Sequence, residues 1–158
     1  MRTDNISAFD CALKYISYRM RSEYEVEKYL EKKMYCEEDR YAAIEKLKEY
    51  EYINDYNFAN ELVWAKINAK PIGKRLLKEM MFKYGIKEDA AKAGIATYSA
   101  QQEQQACNTF YKKLIKKNGI DKNAMQKIQR TLIMRGFSYE NISTALSSFK
   151  ESGETFEE

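Results

Sequence analysis

The chain has 158 residues, 44% apolar and 32% charged, with 27 basic against 24 acidic side chains, one proline and six glycines, a globular rather than a disordered balance. It contains no histidine, which excludes imidazole acid–base chemistry, His-activated nucleophiles and His-ligated metal; no GxGxxG or GxxxxGK[ST] phosphate loop is present either. Cys11, Cys36 and Cys107 form no CxxC pair, no apolar run reaches the roughly 18 residues of a membrane span, and residues 1–7 lack the apolar core of a secretory signal. A cytoplasmic protein with reduced thiols, needing no metal or cofactor and acting by binding rather than catalysis, is expected.

In chain order the apolar residues fall at helical spacing: 8 and 12, 26 and 30, 44 and 47, predicting short amphipathic helices near 8–20, 23–34 and 37–50. The pattern returns at offsets of 51 and 102. Nine columns are apolar in all three copies: Ala8/Ala59/Phe110, Ala12/Val63/Leu114, Leu13/Trp64/Ile115, Tyr18/Ala69/Ile120, Val26/Leu77/Ile128, Leu30/Met81/Leu132, Tyr35/Ile86/Phe137, Ile44/Ile95/Leu146 and Leu47/Tyr98/Phe149. Chance alone gives about four. Helices this short are marginal alone, so packing between them must hold them. The predicted fold is all-α: three tandem three-helix repeats at 4–54, 55–105 and 106–150, packed into one elongated, curved array of either hand. A disordered acidic tail is expected at 151–158.

Boundary residues supply their own chemistry. Ser22 and Glu25 form a capping box; Asp55, Asp121 and Ser138 are N-cap candidates; Pro71 suits the turn before a helix. Gly85 and Gly136 share a column after the second helix, where a left-handed residue closes a Schellman turn, and Ile86 and Phe137 supply its apolar contact. The first copy has Met34 and Tyr35 there, so a less sharp ending is expected. The column Ala43/Gly94/Ala145 is small throughout, as close helix approach requires.

Charge is uneven. Residues 21–51 hold seven basic and ten acidic side chains, whereas 66–87 hold seven basic against Glu79 and 112–135 eight basic against Asp121. The last eight residues carry four acids and no base, leaving +7 on residues 1–150. Lys74 and Lys78, Lys112 and Lys116, and Lys113 and Lys117 repel at i,i+4 spacing, which an anionic partner relieves; phosphate and an acidic protein surface both fit. Lys70, Lys74, Arg75, Lys78, Lys112, Lys113, Lys116, Lys127 and Arg130 are the candidate binding residues of these two stretches. Trp64 and most tyrosines read as core or inter-helix packing, the cysteines as buried or half-buried small side chains, and Tyr24, set among charges, as a possible partner contact.

Three segments carry a resemblance. Arg19-Met20-Arg21-Ser22-Glu23-Tyr24-Glu25-Val26 is similar to the Arg-x-Arg-Ser-x-x-Glu-Leu signature of the RecX family of bacterial recombinase regulators. Ile53-Asn54-Asp55-Tyr56-Asn57-Phe58-Ala59 resembles its Ile-x-Asp-x-x-Phe-Ala motif. Gly73-x-x-Leu76-x-x-Glu79-Met80, followed by Gly85-Ile86, resembles its Gly-x-x-Arg-Ile-x-x-Glu-Leu-x-x-x-Gly-Ile segment, spaced one residue longer before Gly85. The motifs span about residues 11–95. Met34 stands where the family often has glycine, and the third repeat carries no sharp motif.

The resemblance implies a modulator of the RecA recombinase in homologous recombination, DNA repair and the SOS response. Such a protein lies in the groove of the recombinase–DNA filament, bridges subunits and inhibits strand exchange, with Arg19 and Arg21 joining the candidate contacts and DNA phosphates near the basic half. A monomer is expected. The alternative is a free-standing nucleic-acid-binding module using the second and third repeats.

Overall fold

The computed structural model describes residues 6–151, and among them it contains nine helices and no strand. They are α1 (Ala8–Ile16), α2 (Glu23–Lys32), α3 (Glu37–Glu49), α4 (Asp55–Ala69), α5 (Lys74–Lys83), α6 (Glu88–Ala96), α7 (Ala100–Asn118), α8 (Lys122–Met134) and α9 (Tyr139–Glu151). Three tandem three-helix repeats follow in order. The tail expected to be disordered lies outside the described residues from position 152, while Glu151 closes α9.

The residues sort into two compact units, one ending at 61 and taking in 81–94, the other made of 62–80 and the chain from 95 onward. In the first unit the apolar stripes of α1, α2 and α3 bury Ala8, Ala12, Val26, Leu30, Ala43, Ile44 and Leu47, with Ile53 beside them. In the second, α7, α8 and α9 bury Cys107, Tyr111, Ile115, Ile128, Leu132, Ile142 and Ala145 around Phe137. Tyr98 is also buried there, its hydroxyl donating to the Ile72 carbonyl at 3.0 Å.

The columns test the repeat directly. Val26/Leu77/Ile128 and Leu30/Met81/Leu132 are buried in every copy. The first-helix columns slip in the third copy, where the buried pair matching Ala8/Ala12 and Ala59/Val63 is Cys107/Tyr111, with Phe110 and Leu114 only half-buried. The cause is length: α2 and α5 have ten residues and α8 thirteen, its extra three at the N-terminal end. Three residues are nearly one turn, so the apolar face survives while α7 shifts by the same three positions. Column membership also misplaced Trp64 and Tyr18, which are 65% and 74% exposed. Trp64 follows buried Val63 and points about 100° round the helix from it. Most tyrosines likewise face solvent, only Tyr98 and Tyr111 being buried, and Cys36 is exposed.

All three second helices end alike. Met34, Gly85 and Gly136 take φ of 67°, 67° and 90°, and the next residue's N–H reaches back in each: Tyr35 to the Leu30 carbonyl, Ile86 to Met81 and Phe137 to Leu132, at 3.3, 3.0 and 3.2 Å. The first copy therefore ends as sharply as the others, with a methionine in the left-handed conformation that favours glycine. Ser22 and Glu25 close the capping box, and Asp121 and Ser138 cap α8 and α9. For α4 the cap is Asn54, which accepts from the N–H groups of Tyr56 and Asn57; Asp55, one residue on, instead accepts from the Glu23 N–H at 2.9 Å. In the small column, a Cβ on Gly94 would lie 2.7 Å from that of Ala59.

One tertiary contact recurs inside each unit. The Ser22 hydroxyl donates to the Tyr84 carbonyl at 2.6 Å in the first, and the Gly73 N–H donates to the Arg135 carbonyl at 2.9 Å in the second. Both donors and both acceptors are 51 residues apart. In each, the end of a second helix abuts the start of the preceding repeat's second helix. A Cβ on Gly73 would fall on the Gly136 backbone, and the Arg135 guanidinium donates twice to the Pro71 carbonyl, at 2.8 and 2.6 Å.

Candidate interaction surfaces

The two units differ in charge: thirteen basic and sixteen acidic side chains fall in the first, fourteen and eight in the second. Net values of −3 and +6 give them opposite preferences for charged partners.

The candidate cations differ in their burial and in their contacts. Arg19 is bound to Glu25, with Nη2 2.5 Å from Oε1, and that hydrogen bond holds its guanidinium above the ordinary arginine value. Arg21 meets the same carboxylate at 3.4 Å, lies 4.1 Å from the Tyr15 ring centroid, and is only 16% exposed. Tyr15 in turn stacks on Tyr29 at 3.9 Å. The signature arginines thus brace the turn into α2.

In the second unit Lys74 donates its backbone N–H to Glu103 at 2.7 Å and keeps its ammonium 6.0 Å from the Tyr98 ring centroid. Arg75 pairs with Glu79 at 2.6 Å and also donates to the Ile133 carbonyl. Lys70 and Lys78 are exposed, Lys70 just past the C-terminal end of α4, where helix carbonyls favour a cation. Lys112 is half-buried beside a cleft of about 280 Å³ that includes Asn108, Thr109 and Phe149. Lys113, Lys116, Lys127 and Arg130 are exposed, on the sides of α7 and α8 away from Cys107, Tyr111 and Ile115 and from Ala124, Ile128 and Leu132.

A groove of about 710 Å³ in the first unit, not foreseen from the sequence, is lined by Tyr24, Tyr41 and Ile44, with Glu23, Glu27, Glu37, Glu38, Glu45, Asp55, Gly85 and Lys87 around it. Glu27 is held by Arg40 at 2.8 Å, and Glu23 and Glu45 by Lys48 at 3.5 and 3.1 Å. Burial raises the Asp55 carboxyl above the usual aspartate value, against the opposing hydrogen bond from Glu23. The available signal was Glu37-x-x-x-Tyr41-x-x-x-Glu45, which sets one aromatic between carboxylates on one helical stripe. Burial also pushes the Cys107 thiol up to about 12, which leaves it a packing side chain rather than a nucleophile. Among the described residues no three acidic or cysteine side chains are grouped to hold a metal, and no helix is long and apolar enough to cross a membrane.

Tandem three-helix repeats, sorted into two compact units of opposite net charge, define a helical-repeat protein. The family model described as the first three-helix domain of RecX matches residues 8–47, which hold α1, α2 and most of α3. Regulatory protein RecX of Staphylococcus carnosus is 27% identical over 138 residues, covering 87% of this chain and 52% of the relative. That of Oceanobacillus iheyensis is 26% identical over 150 residues, covering 94% and 55%. The chain spans about half the length of these curated relatives. The crystal structure of RecX from Lactobacillus salivarius superposes with a TM-score of 0.84 at 29% identity, over 90% of this chain and 94% of that one. A second RecX crystal structure, at 24% identity, shares the fold with a TM-score of 0.81. The chain is thus similar to RecX proteins over about nine-tenths of its length, and the curated relatives it resembles are named as regulatory proteins.

Proposed function

We propose that this chain binds a RecA-type recombinase–DNA filament and restrains its activity, as a cytoplasmic monomer acting by contact rather than by catalysis. The observation that supports this most is the RecX fold extending over nine-tenths of the chain. Repeats near 4–54, 55–105 and 106–150 are the recognition modules; a repeat array can touch a periodic partner at more than one point and gain avidity from it. The +6 unit meets phosphate or an acidic protein face through Lys70, Lys78, Lys113, Lys116, Lys127 and Arg130, with Lys74, Arg75 and Lys112 beside them. Arg19 and Arg21 contribute by fixing the turn into α2.

The test is strand exchange by a purified recombinase with this protein added, comparing wild type with Lys113→Glu/Lys116→Glu/Lys127→Glu. These side chains are exposed, so the fold should survive, each change costing within about 0.5 kcal/mol. Inhibition should weaken, and each lost phosphate contact should lower the slope of log affinity against log salt by roughly 0.7–0.9. Unchanged inhibition and slope would refute a role for this face. The excess charge of the second unit favours one other reading, a nucleic-acid-binding module. Tight binding to bare DNA at physiological salt, unaffected by recombinase, would establish it instead.

A further inference from the structure

We propose that the tyrosine-walled groove between α2 and α3 docks a cationic segment of a protein partner, whose Lys or Arg stems lie along Tyr24 and Tyr41 while their charged ends meet Glu37 and Glu38. The assignment is independent of the basic faces and of the filament. The groove's walls are aromatic rings left uncovered by the described residues, Tyr41 being 67% and Tyr24 47% exposed, over a floor that includes Ile44. Tyr24 is braced, and the backbone that carries Tyr41 is set, before any partner arrives. Tyr24 lies against Gly85, where a Cβ would collide with the ring, and Tyr41 stands on the well-packed helix that buries Ala43, Ile44 and Leu47. An exposed aromatic with only two side-chain torsions to order presents contact area at low entropic cost.

Charge selects the occupant. Six carboxylates and one ammonium line the groove; Arg40 and Lys48 neutralise Glu27, Glu23 and Glu45 in part. Glu37 and Glu38, in the first turn of α3, form no ion pair among the described residues. A phosphate or acidic peptide would be repelled. A lysine or arginine matches both features at once, since its methylene stem covers apolar surface and its head stays at the polar rim. Tyr24 already accepts a cation in this way, the Lys28 ammonium lying 5.8 Å from its ring centroid.

The experiment uses the full chain and a fluorescein-labelled peptide of repeating Lys-Leu-Arg-Ala, followed by anisotropy at physiological salt. Glu37→Gln/Glu38→Gln should weaken binding at least about fivefold, whereas Glu49→Gln/Glu61→Gln, the same charge change at exposed positions elsewhere in the unit, should alter it less than about twofold. Tyr41→Ala should weaken binding about three- to tenfold without changing its salt dependence, as loss of an apolar anchor requires. Far-UV circular dichroism checks that each variant is folded, and exposed Tyr41→Ala serves if the double variant is not. No binding by wild type, equal losses in the two double variants, or full affinity in Tyr41→Ala would each overturn the assignment.

Discussion

Replacing Gly73 with alanine adds one methyl group where the second unit has no room for it. The new Cβ would overlap the Gly136 carbonyl and the Phe137 nitrogen, both backbone atoms that no rotamer change can move aside. Relief requires the turn at 135–137 to back away from the start of α5. That breaks the Gly73-to-Arg135 hydrogen bond, a net loss of about 1 kcal/mol, and loosens the charged pair of bonds from Arg135 to Pro71, at about 1.5–3 kcal/mol. Phe137 and Ile72, each 1% exposed, would also begin to meet water, so the expected cost is about 3–5 kcal/mol. Gly119→Ala is the control: Gly119 has φ of 83° and ψ of −170°, an extended positive-φ conformation that belongs to glycine, but nothing lies within 4 Å of an added Cβ, so only the backbone conformation opposes the change, at about 1–3 kcal/mol. Urea unfolding followed by circular dichroism, with amide exchange at Phe137, compares the two. If Gly73→Ala costs no more than Gly119→Ala, the abutment of α5 on the Gly136 turn is not a source of stability.

Leu30→Ala, at a fully buried column position, should cost about 2–5 kcal/mol in urea unfolding by leaving a cavity, while Trp64→Ala, at a 65% exposed site, should stay within roughly 0.5–1 kcal/mol. Asp55 has a raised carboxyl pKa in the folded state, so its ionisation opposes folding above that pKa and the penalty fades as pH falls below the ordinary aspartate value. Asp55→Asn, which keeps an acceptor for the Glu23 N–H, should therefore raise the melting temperature at neutral pH, with the gain vanishing in acid. An equal gain at both pH values would contradict that assignment.

The helical fold was legible because its signals are local: stripes at three- and four-residue spacing, the Ser22–Glu25 box, and glycine at the ends of α5 and α8. Val26, Leu30 and their counterparts kept register in all copies because the second helices end at fixed positions. Trp64 was misread because column membership records hydrophobicity and not angle, and one position past Val63 already faces another way. Arg19 and Arg21 appeared as free cations because sequence does not show that both turn back onto Glu25. The groove at Tyr24 and Tyr41 was missed for a related reason: acids and tyrosines on separate helices become one surface only after α2 and α3 pack.

The three extra residues of α8 show how such a chain tolerates changes in length. A helix advances about 100° per residue, so three residues return the apolar stripe to within about 60° of its start and four overshoot by about 40°. One or two would swing it toward solvent. Insertions that leave Ile128 and Leu132 inside are therefore quantised in turns, and the repeat can grow only in whole steps. Copies of one ancestral unit would then drift in length while their cores stay aligned, with a fixed-period comparison losing register at each added turn.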